Sequence, residues 1–280
     1  MQMLNMLENF PLSKYGHNSV NSIHLLAEVM KRAYADRAAH LGDPKFWSVP
    51  IQGLISKEYA RKLASLIYLD RATPSKTISH GNPIPYESNE TTHYSVMDNQ
   101  GNVVSNTYTL NFSYGTGIVV AGTGILLNNE MDDFSSKPGV PNAYGLVGGK
   151  ANAIQGGNRP LSSMTPTIVF KDGKPWLATG TPGGSRIITM VLQLLLNVID
   201  HGMDIARATA ALRVHHQWLP DKLFVERRLN PDILKHLRQR GHSVVISRLA
   251  GSMQSVMASP NGGFQGASDW RRSGALVAGY

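Results

Sequence analysis

At 280 residues and 42% hydrophobic content, the chain is long enough to bury a sizeable core as one large domain or two smaller ones. It contains no cysteine, which excludes disulfides, cysteine-ligated zinc and a cysteine nucleophile. The net charge of +8 is spread over short runs such as Arg227-Arg228 and Arg238-Gln239-Arg240 without interleaved aromatics, which argues for a solvated surface rather than a nucleic-acid partner.

In chain order, residues 1–17 show no clear pattern. Asn18 or Ser19 is placed to cap a helix carrying Ile23, Leu26, Val29, Met30 and Ala33, which Leu41-Gly42-Asp43-Pro44 would end. A second helix fits Ser56 to Ile67. A Pro-, Ser- and Gly-rich loop follows from Thr73 to Glu90 and stops at Thr91-Thr92-His93-Tyr94-Ser95, where the pattern alternates as in a strand. Thr92–Asp98 and Val103–Phe112 read as a hairpin, with Ile118–Val120 and Gly124–Leu127 continuing the sheet. The stretch from Ser135 to Arg159 reads as a long irregular loop, of the kind that is usually a functional lid or disordered. A second hairpin spans Thr165–Phe170 and Pro175–Thr179. The apolar run Ile187 to Ile199 falls short of the ~20 residues that cross a bilayer and reads as a buried helix. Asp204 caps a helix over Ile205–Val214. Strand Phe224–Arg227, helix Pro231–Gly241, strand Val244–Ser247 and a last strand, Gln254–Ala258, complete an α+β pattern. Met1 opens no secretory signal.

Several short motifs carry chemistry. Were the peptide bond before Thr91 cut, its hydroxyl would share a residue with a free α-amine of pKa about 7.7–8.0, a nucleophile with its own base. Taken alone, Thr91 and Thr92 equally open an ordinary strand. Gly183-Gly184, between strand and helix, offers backbone N–H groups for an oxyanion or a phosphate, or simply a tight turn; no Gly-Lys-Ser/Thr follows to make a P-loop. Ser162-Ser163 presents two hydroxyls suited to a carboxylate. Glu130, Asp132 and Asp133 suit an ammonium group or a hard cation, although the spacing is not that of an EF-hand. His215-His216 lacks partners at metalloprotease spacing and reads as a core or interface pair.

In order along the chain, Pro85-Tyr86-Glu87-Ser88-Asn89-Glu90 before Thr91, Tyr108-Thr109-Leu110-Asn111, Leu126 to Phe134, Arg159 to Met164 and Gly180 to Arg186 together resemble the γ-glutamyltranspeptidases. Upstream, Tyr34-Ala35-Asp36-Arg37 and Leu41 to Pro44 look like the end of that family's large subunit. The resemblance implies an N-terminal nucleophile hydrolase αββα sandwich lacking its N-terminal part. Residues 1–90 would be the mostly helical end of the large subunit and 91–280 a small catalytic subunit. Autocatalytic cleavage between Glu90 and Thr91 would leave a large/small heterodimer.

Thr91 would then attack the γ-glutamyl amide of glutathione, and water or an amino-acid or dipeptide acceptor would resolve the acyl-enzyme. Carried over from the family, Thr109 holds the Thr91 amine, and Gly183 and Gly184 form the oxyanion hole. Asp133, Glu130 and Asn111 take the donor's α-ammonium, Ser162 and Ser163 its α-carboxylate, and Tyr144 gates the site from a lid over Lys137 to Gly148. No metal or organic cofactor is implied, and the family's location is periplasmic or secreted. The family's large subunit also supplies an arginine to the donor carboxylate, and no arginine ahead of Thr91 is matched to it. Alternatives are a glutaryl-cephalosporin-type acylase of the same superfamily and an inactive remnant or interaction module.

Overall fold

The computed structural model describes residues 1–83, 95–249, 251–272 and 274–279. Glu90 and Thr91 lie outside them. Up to residue 83 the regular elements are helices: α1 (Gln2–Leu7), α2 (Leu12–Tyr15), α3 (Val20–His40), α4 (Ile51–Ile55) and α5 (Lys57–Ala64), with a single 3-10 turn over Ser75–Thr77. The two helices expected from the sequence start where their caps put them. The Ser19 side chain accepts from the Ser22 N–H at 3.2 Å, and that of Ser56 from the Tyr59 N–H at 3.2 Å. α3 is buried along most of its length and on every side. Even Glu28, Lys31 and Arg32 are buried, joined by ion pairs of 2.8 Å (Lys31–Glu28) and 2.7 Å (Arg32–Glu28) that offset the cost of removing them from water.

Strands follow. β1 (Val96–Met97) and β2 (Val103–Val104) pair antiparallel. β3 (Thr167–Lys171), β4 (Lys174–Gly180), β8 (Gln254–Ala258) and β9 (Phe264–Ser268) form an antiparallel sheet in that order, and β5 (Val214–His215), β6 (Leu223–Val225) and β7 (Val244–Ile246) form a second, mixed sheet. α6 (Ile187–Ile199) lies between the two cores. One of its faces packs with Leu177, Met253, Met257 and Ala267 of the four-stranded sheet. Leu192 and Leu196 face α1, α3, α5, α8 (Pro231–Gln239) and the mixed sheet. A helix apolar all round is buried all round, as its sequence predicts. Among the described residues no helix is long and apolar enough to cross a membrane.

Three expectations are corrected. The first hairpin has only two paired residues on each strand, and Ile118–Val120 with Gly124–Leu127 form one bridge, Val119 to Leu126, rather than further strands. Among the described residues, no named strand pairs with 105–112; its backbone is linked instead by Asn129 N–H to Leu110 O at 3.1 Å and by the turn bond from Gly115 N–H to Phe112 O at 3.0 Å. α7 (Ile205–Ala210) starts at the Asp204 cap but stops short of Val214, which is in strand β5. It stops because Arg271 and Arg213 donate to its last carbonyls, Arg271 to Ala211 O at 2.9 Å and Arg213 to Thr209 O at 3.0 Å. Gln254–Ala258 is not the last strand: the turn at Pro260-Asn261-Gly262-Gly263 returns the chain as β9.

Candidate active site

A pocket lies between the end of β4 and the loops on either side of it. Thr109, Asn111, Asp133, Tyr144, Ser162, Ser163, Gly183 and Gly184 all line it, although they come from five separate stretches of chain. Eight of the residues singled out in the sequence are thus brought to one place; Glu130 is not among the lining residues but interacts with Asp133, which is.

The floor is the turn after β4. Gly183 has φ 146° and Gly184 φ 59°, conformations that side chains resist, and a Cβ on Gly184 would lie 2.5 Å from the Tyr144 ring. Below the turn, Ser185 Oγ donates to Gln217 Oε1 at 2.9 Å, and Tyr34 donates to the Ser185 carbonyl. β4 is itself tied to the start of the strand region. Ser95, the first described residue after Thr91, hydrogen-bonds Ser105, whose hydroxyl reaches Thr179 O at 3.4 Å.

The acidic wall is a single 3-10 turn, Glu130–Asp133. Burial, together with Asp133 beside it, raises the Glu130 carboxyl to about 7. Burial raises Asp133 as well, while the Arg37 guanidinium opposes that shift. Glu130 Oε1 is buried with no hydrogen-bond partner. Asn111, at φ 70°, gives its side-chain amide to Asn129 O at 3.1 Å, which leaves its own amide oxygen as an acceptor. Its N–H donates to Thr109 Oγ1 at 2.8 Å.

Opposite, both serine oxygens already accept hydrogen bonds. Met164 N–H donates to Ser162 Oγ at 3.1 Å, and Arg37 Nη2 donates to Ser163 Oγ at 2.9 Å. Each hydroxyl proton is left to donate elsewhere, the property a carboxylate ligand requires. The serine loop is anchored by Arg159, which grips the buried Asp43 carboxylate at 2.7 and 2.9 Å and holds it well below the usual carboxylate range.

Residues 137–148 arch over one side. The Asn142 side chain organises the arch, accepting from Tyr144 N–H at 3.1 Å and Leu146 N–H at 3.0 Å while donating to Asp132 O at 3.2 Å. Tyr144 then reaches across to donate to Asn111 O at 3.0 Å, and Gln217 donates to the Tyr144 carbonyl at 3.0 Å.

His215 and His216 are a buried pair outside the pocket lining. His215 binds Thr189 Oγ1 at 2.9 Å and Gln217 Oε1 at 3.0 Å, and His216 meets Asp221 at 3.2 Å. His24, Glu28 and His242 bring three ligand-type atoms within 4.8 Å of one another, but Glu28 is already ion-paired with Lys31 and Arg32, whose charges oppose a metal cation. Sequence reasoning gave Arg37 no role in the site. Its motif was visible, but its contact with Ser163, 126 residues away, was not.

The fold is that of the N-terminal nucleophile hydrolases. A cephalosporin acylase from Bacillus halodurans overlays the whole chain with a TM-score of 0.80 at 26% identity, using 49% of its own length. A Helicobacter pylori gamma-glutamyltranspeptidase mutant overlays 65% of the chain, and all of its own, with a TM-score of 0.62 at 52% identity. The gamma-glutamyltranspeptidase family model matches residues 1–279, and the chain belongs to that family. The glutathione hydrolase proenzyme of Escherichia coli (strain K12) is 57% identical over 280 residues, which are 100% of this chain and 48% of that protein. That of Bacillus subtilis (strain 168) is 39% identical over 295 residues, covering 99% and 48%. The chain therefore spans about half the length of the curated relatives it matches.

Proposed function

We propose that the chain carries the catalytic site of a γ-glutamyl-transferring and glutathione-hydrolysing enzyme, made active by cleavage between Glu90 and Thr91 into a piece ending at 90 and a subunit of 91–280. The observation that carries this reading is the convergence of Asp133, Ser162-Ser163 and Gly183-Gly184 on one pocket. An acid for an ammonium, hydroxyls for a carboxylate and backbone donors for an oxyanion match the three polar groups of a γ-glutamyl donor.

In this reading the Thr91 amine takes the proton of its own hydroxyl, and Thr91 Oγ attacks the γ-carbonyl. The carbonyl oxygen becomes an oxyanion held by the N–H groups of Gly183 and Gly184. Collapse breaks the amide, the amine returns the proton to the leaving nitrogen, and the γ-glutamyl ester remains on Thr91. Water or the amino group of an amino acid or dipeptide then attacks the ester and restores Thr91. Thr109 holds the Thr91 amine. Asp133, with Glu130 and Asn111, takes the donor α-ammonium, and Ser162 and Ser163 take its α-carboxylate. Tyr144 closes the site. The family's periplasmic or secreted location is carried over with the activity.

The test is release of p-nitroaniline from γ-glutamyl-p-nitroanilide, with the upstream half found in the relatives supplied, alongside N-terminal sequencing of the products. A new terminus at Thr91 with turnover that Thr91→Ala abolishes is expected. An intact chain, or turnover that survives Thr91→Ala, overturns the reading. The full-length overlay with a cephalosporin acylase favours one rival, deacylation of glutaryl substrates. A preference for glutaryl- over γ-glutamyl-p-nitroanilide would select it, because the glutaryl group has no ammonium for Asp133.

A further inference from the structure

We propose that Arg37 is a positioning residue for the carboxylate end of the pocket, acting through Ser163; this rests on the γ-glutamyl reading above. Arg37 belongs to α3, not to the loops that line the pocket. It sits in the last turn of that helix, where the aligned peptide dipoles favour a cation. Its Nη2 donates to Ser163 Oγ at 2.9 Å, and its charge also acts on Asp133.

Two consequences follow from that placement. First, a hydroxyl has one proton. With Arg37 fixed on the Ser163 oxygen, rotation of that proton toward Arg37 is excluded and it is left to donate to an anionic ligand. Donation from a guanidinium also polarises the hydroxyl and strengthens its onward bond, as in a chain of hydrogen bonds. Second, the same guanidinium that bonds the group placed for a carboxylate also acts by its charge on the group placed for an ammonium. It thereby favours the ionised form of Asp133 while orienting Ser163. One side chain from the upstream segment thus sets the polarity of both halves of an α-amino-acid grip. Asp43 on the same side of the fold fixes the loop carrying Ser163 by its bidentate bond to Arg159, so Arg37 adjusts a hydroxyl whose backbone is already held.

The test is a double-mutant cycle in the processed, full-length protein, reading KM and kcat for γ-glutamyl-p-nitroanilide. Arg37→Gln is expected to raise KM by about 10–100-fold, the range for a hydrogen bond in which a charged group takes part, with kcat changed much less. In the Ser163→Ala background, Arg37→Gln is expected to add no more than about twofold, because its target is gone. Arg37→Lys, which keeps the charge without the planar fork, is expected to fall between the two. Should Arg37→Gln fail to fold or to process, the same cycle run with Arg37→Lys decides. Additive effects of Arg37 and Ser163 substitutions, or loss confined to kcat, overturn the assignment. A wild-type protein inactive on every γ-glutamyl substrate overturns the functional reading and this one with it, an outcome separate from additivity in an active enzyme.

Discussion

A carboxyl group held at about 7 changes what the acidic wall presents to a substrate. Near pH 6 the Glu130 carboxyl is largely protonated, and above pH 7 its negative charge is added to the wall. KM for a γ-glutamyl anilide is therefore expected to bend near pH 7 in the wild type and to stay flat from pH 6 to 8 in Glu130→Gln; an identical bend in both would assign it to another group. Stability follows the same sign. A carboxyl raised above its ordinary value contributes stability that is present below about 4.5 and lost as pH rises to about 7. Glu130→Gln should gain on the wild type in urea melts at pH 8 relative to pH 5, by no more than about 1 kcal/mol once solvent screening is counted. The residue types of this pocket were legible in the sequence, since carboxylates, paired hydroxyls and paired glycines declare their chemistry. The protonation of Glu130 and the hold of Arg37 on Ser163 were not, because both depend on neighbours that only the fold supplies.

At the scale of elements, what is local was readable and what is distant was not. Ser19, Ser56, Asp204 and Asn230 each accept from a backbone N–H at the start of their helices; Asp204 was expected as a cap and Ser19 as one of two candidates, while the other two starts were read from the apolar spacing. The end of α7 is decided by Arg271, some 60 residues on, which no periodicity could reveal. That arginine belongs to a buried cluster: Arg213–Asp269 at 2.5 Å, Arg271–Glu226 at 2.7 Å and Arg271–Asp269 at 3.2 Å. Two cations around two carboxylates are balanced only while all four remain. Asp269→Ala should cost about 3–5 kcal/mol by leaving both arginines short of a partner, read as a lowered urea midpoint. A cost below about 1 kcal/mol would show that the cluster is wet and the charges already screened. The shortened β1–β2 hairpin belongs here too: alternation shows which residues suit a strand, but pairing requires a neighbour.

At the scale of the whole molecule, one stretch of chain shows many large apolar side chains to water: Tyr108, Tyr114, Ile118, Val119, Ile125 and Met131 are each more than half exposed within 24 residues. Exposed apolar side chains in such number favour association. The chain alone is expected to sediment with a concentration-dependent mass, and addition of the upstream half of a relative to suppress this; a sharp monomer at every concentration would show that the exposure is tolerated by water. Acid acts elsewhere, on the buried histidines. Burial depresses His215 and His242 to about 3, and His24 and His216 are lowered as well. Unfolded, each would take a proton near pH 6.5, so stability is present above about 6.5 and lost as pH falls toward 3. The midpoint of chemical unfolding should drop across that window, and His215→Gln should flatten the drop.

The burial of α3 bears on what becomes of the chain once it is in two pieces. The helix is wrapped by α8, the mixed sheet and the loops of the pocket, with Leu25, Val29 and Met30 sealed from water. Departure of the upstream piece would therefore amount to opening the core. Exchange between pieces would proceed at the rate of unfolding, and dilution would not drive it on a laboratory timescale. Halves separated in denaturant would have to refold around one another, not simply dock. In this protein the bond between residues 90 and 91 would hold the pieces together far less than the upstream helix buried in the core of the other piece.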